Sequence, residues 1–267
     1  MKDFLEILKD LWNWRGQVTQ LGLFDLRKQM RGAVLGWLWF FAKPAVYVGV
    51  FWFALEIGLK QATAMGSDAP YILWLMAGLM PWFYMQEMLG QGSDILHRYS
   101  YLVNKIKFPV AGIPAIYAVS TLVIQCGLVI ALLIAYFLCG QPLDIHLLQL
   151  PLAMLVMVVF WYFFSLCTSM LSAISKDFKN LIKTLSTPLF WLSGIIFSVS
   201  GVDWLQRIMY FNPVTFIAEM YRGAVYSGTW FWEDPFACFG MLVVFLIMVV
   251  LTVLVYKRTK EEVHDVL

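Results

Sequence analysis

Lys43 and Pro44 stand inside the apolar stretch FFAKPAVYVGVFWF, which covers residues 40–53. An ammonium group among apolar side chains is unfavourable unless water, a carboxylate or an anionic ligand compensates its charge. A proline inside a helix removes a backbone hydrogen bond and bends the helix. The pair therefore predicts a bent helix with one face on a polar path. Snorkelling of Lys43 toward water, or its pairing with Glu87, are the alternatives.

Chemistry that supplies energy is missing from the sequence. It contains no G-x-x-x-x-G-K-[ST] stretch, whose backbone amides would hold nucleotide phosphates. The apolar runs contain only Lys43, Glu56 and Glu87 as ionisable residues, too few for a proton relay. The three histidines and four cysteines are scattered without metal-ligand spacing, so no metal and no cofactor are expected in this chain. Uphill transport would need a second chain.

The composition is that of an integral membrane protein. Apolar residues make up 61% and charged residues 13% of the 267 residues, which is too little polar surface for a water-soluble globule. A helix that crosses a bilayer about 30 Å thick needs about 20 apolar residues. Such runs predict six transmembrane helices, near 33–58, 70–90, 110–139, 147–174, 184–200 and 236–256.

The predicted fold is thus an all-α integral membrane bundle in a single domain, 1–267. It divides into a cytoplasmic interface region, the six-span bundle and a cytoplasmic tail, at 1–32, 33–256 and 257–267. Positive charge gives the orientation, because cytoplasmic loops are enriched in Lys and Arg. Both termini are predicted to be cytoplasmic, since 15 of the 19 Lys and Arg residues fall in the segments 1–32, 91–109, 175–183 and 257–267.

Two further segments are predicted to meet the membrane surface. Leu5, Leu8 and Trp12 share one face of an N-terminal amphipathic helix suited to the interface, with an ordinary packed surface helix as the alternative. Residues 201–235 are rich in Trp and Tyr but too charged to span, and Asn-Pro at 212–213 divides them. They predict two short re-entrant helices in the outer leaflet between spans five and six, or else a plain external loop.

Five short motifs follow one another along residues 22–228. They are the basic lead-in with a Leu-Gly-x-Leu-Trp start of the first span in DLRKQMRGAVLGWLW, Pro-Trp at 81–82, Lys-x-Lys-Phe-Pro at 105–109, Lys-Asp at 176–177 and Asn-Pro at 212–213. Each motif alone is weak, whereas their order and spacing are specific. Together they resemble the ABC-2 family of ATP-binding-cassette exporter permeases.

The resemblance implies a half-transporter of the bacterial inner membrane that is not itself an enzyme. Two copies of the chain would form the pathway, and two copies of a separate ATPase, which holds ATP and Mg, would bind beneath. The loop 91–109 would contain the coupling helix that rests on the ATPase. The residues expected at this junction are Asp94, His97, Arg98, Lys105, Lys107, Lys176 and Asp177. The alternative is that these cations only fix the topology.

Within that family the chain is most similar to the branch that exports lipid-linked polysaccharides, such as O antigens, capsules and teichoic acids. Aromatic residues form 17% of the chain, and flat rings can stack on sugars without fixing one hydroxyl pattern. Trp39, Trp82 and Trp161 are the candidates for the substrate pathway. Interface belts, however, place aromatic rings in membrane proteins whatever the substrate.

Positive charges near the cytoplasmic gate indicate a further contact with the cargo. Lys43 lies about 15 Å into the first span at 1.5 Å per residue, where the family usually has an uncharged residue before the proline. We expect Lys43 to meet the pyrophosphate or acidic sugars of the cargo while Pro44 widens the gate. Arg27, Lys28 and Arg31 would attract an anionic lipid headgroup, each contributing about 1 kcal/mol, or would serve topology alone.

Other functions fit the sequence less well. An ABC-2 drug or lipid exporter would use the aromatic rings as a hydrophobic pocket. A membrane enzyme acting on lipid carriers would need paired carboxylates, a histidine cluster or an activated nucleophile, and the sequence places none at a predicted membrane surface. A passive channel would need no ATPase. No nucleic acid is expected among the partners.

Overall fold

The protein is described by a computed structural model that covers residues 2–31, 34–58, 70–106, 108–197 and 203–266. Helices make up 88% of the structure. No strand occurs within the described ranges, which confirms the prediction of an all-α fold.

Long and short helices follow one another along the chain. The first part contains α1 (Lys2–Asn13), α2 (Arg15–Met30), α3 (Trp39–Trp52), α4 (Tyr71–Gly90), α5 (Ile95–Arg98), α6 (Ser100–Ile106) and α7 (Gly112–Leu138). The second part contains α8 (Gln149–Ile174), α9 (Lys176–Leu192), α10 (Asp203–Met209), α11 (Pro213–Arg222) and α12 (Pro235–Val266). Short 3₁₀ turns lead into α3 and α8, and a π-helical segment extends α3 to Gly58.

In the described part, four helical segments are long and apolar enough to cross a membrane: Gly36–Gly58, Gly112–Leu138, Ile145–Ile174 and Pro235–Val263. They coincide with four of the six predicted spans. The predicted count of six is not established by helix length and composition.

The fifth predicted span differs from α9 in position. The sequence predicts a charged loop at 175–183 and a span at 184–200, but α9 already begins at Lys176 and ends at Leu192. Asp177 in its first turn favours this early start, because a carboxylate is stabilised at a helix N-terminus. The charged segment is therefore the first part of a helix.

Helix α4 lies at the centre of the bundle. It packs against α3, α7, α8, α9 and α11, and sixteen of its 20 residues are buried. Gln86 and Glu87, together with several Trp and Tyr, lower its hydropathy. Because neighbouring helices shield α4, it can carry polar groups that a lipid-facing helix could not.

The two ends of the chain lie together. α1 packs against α12, and Lys260 Nζ of α12 lies 3.3 Å from Glu6 Oε2 of α1. In α1, Leu5 and Trp12 are 59% and 68% exposed, whereas Ile7 is buried. This exposed apolar face is the one from which an interface helix was expected, and its contact with lipid stays a prediction.

The segment before α12 contains two short helices, as the Asn-Pro pair predicts. Asn212 Oδ1 caps α11 by accepting hydrogen bonds from the backbone N–H groups of Val214 and Thr215, at 3.0 and 3.5 Å. Pro213 follows at the first helical position, where a backbone N–H would have no partner within the helix, so that proline costs no hydrogen bond there. The dip of α10 and α11 into the outer leaflet stays a prediction.

Arg222 of α11 packs against α4, and its side chain is only 3% exposed. The guanidinium carbon lies 3.5 Å from the centroid of the Trp74 ring. Its Nη2 donates to the Ile195 carbonyl at 2.7 Å and its Nη1 to Glu219 Oε1 at 2.6 Å. Gly78 makes this approach possible, because a Cβ there would lie 2.9 Å from Arg222 Nη2 and 2.8 Å from the Ile195 carbonyl oxygen.

Gly78→Ala is expected to destabilise the protein by about 1–3 kcal/mol, because the added methyl group would force the guanidinium or the backbone to move. Thermal unfolding of detergent-purified protein, followed by tryptophan fluorescence, measures this as a lower Tm. The matched control is Gly49→Ala in α3, where nothing lies within 4 Å of the added Cβ. Its Tm should not fall, since Ala favours a helix more than Gly does. Equal Tm values for both variants would contradict the close packing at Gly78.

Candidate functional site

The predicted loop 91–109 folds onto the bundle as short helices. After a turn at Gly92–Asp94, the chain forms α5 and α6 before it enters α7. Ser165 Oγ of α8 donates a hydrogen bond to the Gly92 carbonyl at 2.9 Å. A Cβ at Gly92 would lie 2.9 Å from the same hydroxyl oxygen, so glycine allows this close contact. The loop is thereby fixed against α8.

Asp94 joins this loop to the start of α9. Its Oδ2 lies 2.6 Å from Lys179 Nζ, and its Oδ1 lies 3.4 Å from His97 Nδ1. Lys176 and Asp177 are exposed on the first turn of α9. The structure thus brings the two predicted coupling segments together, although the residue that makes the link, Lys179, was not predicted. The sequence signal was only its position, one turn after Lys176.

The remaining basic residues of the loop are described only in part. Lys107 lies outside the described residues, and so does the side chain of Lys105, whose backbone belongs to α6. Their contact with an ATPase stays a prediction.

A buried carboxylate connects three elements at the same end of the bundle. Asp25 of α2 is 3% exposed, and its Oδ1 accepts a hydrogen bond from Arg98 Nη2 of α5 at 3.1 Å. Its Oδ2 accepts from Gln29 Nε2 at 2.9 Å and from Ser120 Oγ of α7 at 3.4 Å. Asp25 begins the basic lead-in motif, but its burial could not be read from the sequence. It joins α2 to α5 and α7.

Lys43 lines a cavity of about 130 Å³ between α3, α4 and α7. Trp39, Pro44 and Glu87 line the same cavity. Glu87 Oε2 accepts a hydrogen bond from the Tyr117 hydroxyl at 2.8 Å. None of the ion pairs found between described residues joins Lys43 to Glu87. Lys43 and Glu87 therefore line the same small cavity without forming a direct ion pair.

The other predicted pathway residues lie elsewhere. Trp82 is 3% exposed, with its ring centroid 5.3 Å from that of Phe190. Trp161 is 1% exposed and packs against Phe160 and Phe164. Within a single chain both rings belong to the core, whereas Trp39 is 55% exposed at the start of α3.

The predicted headgroup residues form an exposed basic end of α2. Arg27 and Lys28 lie in its last turn, and Arg31 is the C-cap. All three side chains are exposed, and cations at a helix C-terminus are stabilised by the helix dipole. Their position leaves them available to an anionic headgroup.

The site contains no arrangement suited to bond-making chemistry. Among the residues that the structure describes, no group of three His, Cys, Asp or Glu side chains could hold a metal ion. Ion pairs join helices at one end, and a small cavity opens between helices. Together with the four apolar segments long enough to cross a membrane, this is the geometry of a membrane-embedded helical bundle.

Comparison with known proteins identifies the class. The sequence model of the ABC-2 type transporter family matches residues 16–226, and the chain therefore belongs to this family. It is a permease, the membrane subunit of a transporter, and not itself an enzyme. Membership of the family implies a partner ATPase.

Similar proteins carry a more specific name. An O-antigen export system permease protein RfbA from Myxococcus xanthus is 22% identical over 229 residues, which cover 84% of this chain and 85% of that protein. Two proteins of the same name from Klebsiella pneumoniae are 20% and 21% identical, over 77% and 76% of this chain and 78% of each relative.

Arg98→Gln is expected to lower stability by about 2 kcal/mol, because Asp25 then holds a buried charge without its cation. The value is below that of a fully buried pair because the Arg98 side chain is 35% exposed. Asp25→Asn combined with Arg98→Gln should recover most of the loss, since a neutral amide can still accept hydrogen bonds. Thermal unfolding measures the stability of both variants. The control is Arg27→Gln, which changes an exposed residue of α2, the helix of Asp25, and should leave the Tm unchanged. A double variant as unstable as Arg98→Gln would refute the pairing.

Proposed function

We propose that this chain is the permease of an ATP-binding-cassette transporter that exports lipid-linked cell-surface polysaccharide across the cytoplasmic membrane, driven by a separate ATPase subunit. The observation that carries the proposal is the similarity to three O-antigen export permeases over 76% to 84% of the chain. O antigens, capsules and teichoic acids belong to one chemical class, a long glycan on a lipid anchor. The proposal covers that class.

The assembly is proposed to be a homodimer with two ATPase copies, each permease chain having six spans. Besides the four apolar segments, α4 has 20 residues, about 30 Å at 1.5 Å per residue, and matches the thickness of the hydrocarbon layer. α9 is proposed to supply the remaining crossing, the fifth along the chain. The Lys260–Glu6 pair supports an even number of spans, since it holds both ends of the chain on one side. Positive charge makes that side cytoplasmic.

Energy is proposed to enter at the junction formed by the Asp94–Lys179 and Asp25–Arg98 pairs. Both pairs join elements that are distant in sequence but in contact in space. A push on α5 by the ATPase would therefore move α2 and α9 with it, because short ion pairs and close packing link the helices. His97, Lys176 and Asp177 lie beside this junction as exposed contacts for the ATPase.

The cargo is proposed to meet Lys43 through its pyrophosphate or acidic sugars. Lys43 is exposed beside a cavity that also contains polar side chains of α4 and α7. The basic end of α2 would hold the anionic headgroup, Pro44 would shape the gate, and Trp39 would contact the sugar chain. Trp82 and Trp161 would join the pathway only if helices separate during transport, since both are buried here.

ATP hydrolysis by the purified complex in lipid nanodiscs is expected to rise about fivefold or more when lipid-linked glycan is added, because cargo and ATPase are coupled through the permease. Release of phosphate measures the rate. The permease without its ATPase should hydrolyse no ATP under the same conditions. If a hydrophobic drug or lipid stimulates ATP hydrolysis and no lipid-linked glycan does, the chain belongs to a drug or lipid exporter instead.

Lys43→Gln is expected to reduce export of acidic glycan about tenfold, since one favourable charge contact near the membrane interior is lost. Export of a neutral glycan on an uncharged anchor should fall much less. Surface glycan on cells that produce the complex measures both. Lys257→Gln, exposed near the end of α12, is the matched control and should export normally. If Lys43→Gln exports the acidic and the neutral glycan equally well, Lys43 makes no charge contact with the cargo.

A further inference from the structure

A second and larger cavity lies far from Lys43. Its volume is about 410 Å³, and it opens between α10, α11 and the segment 228–237. Ala237 at the start of α12 lines it, whereas Lys260, which pairs with Glu6, lies about 35 Å further along α12 at 1.5 Å per residue. The cavity is thus at the end of α12 opposite the Lys260–Glu6 pair. Its volume is within the range of small-ligand pockets, about 300–1,000 Å³.

Three carboxylates line this cavity: Glu219, Glu233 and Asp234. Glu219 Oε1 binds Arg222, and Glu233 Oε1 accepts a hydrogen bond from the Trp230 backbone N–H at 3.0 Å. Asp234 Oδ1 accepts from two backbone N–H groups at the start of α12, both at 3.1 Å. In each case one oxygen holds the side chain in place, and the second has no hydrogen-bond partner in the described part of the chain. The cavity therefore presents fixed acceptors.

Aromatic rings form the other part of the lining. Tyr210, Trp230 and Phe231 face the cavity. The Trp230 ring packs against the Trp232 ring, with centroids 4.4 Å apart, and its centroid lies 4.9 Å from that of His146. Rigid rings take up the apolar C–H faces of sugars, while carboxylate oxygens accept hydrogen bonds from hydroxyl or ammonium groups. This combination is typical of saccharide binding.

The charge of the region decides which saccharides fit. No Lys, Arg or His belongs to the described lining, and the Arg207 side chain on α10 is exposed outside it. Behind Trp230, Asp144 accepts a hydrogen bond from the His146 backbone N–H at 3.2 Å, which keeps the pKa of its carboxyl below the usual value, and its Oδ1 also lies 2.7 Å from His146 Nδ1. Among the lining carboxylates only Glu219 pairs with a cation in the described part of the chain, Arg222, so Glu233 and Asp234 leave the lining negative. An anionic sugar would be repelled.

We propose that this cavity is an exit-side saccharide site, which binds a short neutral or amino-bearing segment of the exported glycan in preference to an anionic segment. This inference rests on the proposed function, because it assigns the site to the exported polymer. The carboxylates receive the hydroxyl and ammonium groups, and the Trp230 ring contacts the sugar. The site would hold the leading sugars while the next segment crosses.

Binding of three defined oligosaccharides to the permease–ATPase complex in nanodiscs tests the inference. The probes are a glucosamine tetramer, a mannose tetramer and a galacturonate tetramer, and saturation-transfer NMR with titration measures each affinity. The first two should bind, and the galacturonate tetramer should bind about tenfold or more weakly. Equal binding of all three, or binding of none, would overturn the inference.

Two variants locate the binding. Glu233→Gln keeps an acceptor for the Trp230 N–H but removes the charge, so affinity for the glucosamine tetramer should fall about fivefold while that for the mannose tetramer changes little. Trp230→Leu should weaken both. Glu261→Gln, exposed on α12 near Lys260, is the matched control and should change neither. If all variants bind like the unaltered chain, the saccharides bind elsewhere and the inference fails.

Two further outcomes separate this inference from others. If spermine displaces the glucosamine tetramer and the mannose tetramer does not bind, the cavity is a cation site and the saccharide assignment is wrong.

Glycan-dependent ATP hydrolysis, measured on the same complex, distinguishes the exit site from the proposed function. If glycan stimulates ATP hydrolysis but no tetramer binds, only the exit site is wrong. If the tetramers bind but no glycan stimulates ATP hydrolysis, the proposed function is wrong, and the site cannot be assigned to an exported polymer.

Discussion

A polar or charged group inside an apolar bundle is stable only when another group or water satisfies it, and the structure of this chain follows from that requirement. α4 meets it for Glu87 near one end, where Tyr117 of α7 donates a hydrogen bond. Near the other end Arg222 of α11 lies against Trp74 beside Gly78. One buried helix therefore connects the cavity at Lys43 to the short helix α11.

The same requirement explains the junction of α2, α5 and α9. Asp25 is buried, so it needs a cation and neutral donors, and Arg98 and Gln29 provide them from α5 and α2. Asp94 joins the adjacent turn to Lys179 of α9. Two ion pairs thus join three elements that are separated along the chain. Under the proposed function, this junction would pass a movement of the ATPase to the helices.

Under the proposed function, charge differs between the two ends of the pathway. Lys43 and the basic end of α2 lie where an anionic lipid anchor would be engaged. Glu219, Glu233 and Asp234 lie where sugars would leave. The basic end would attract an anionic lipid anchor, and the acidic end would attract neutral or cationic sugars. Electrostatics would then direct the anchor and the sugars to different ends of the pathway.

The sequence by itself determined the membrane class, the all-α fold, four of the spans, the division of the outer segment at Asn212-Pro213 and the family. These depend on hydropathy, periodicity and short motifs, which are local properties. Only the tertiary structure showed that Asp25 pairs with a residue 73 positions away, that α9 begins early, and that Trp82 and Trp161 are buried. Such features depend on which helix faces pack together, and packing brings distant residues into contact in a way that local pattern does not encode.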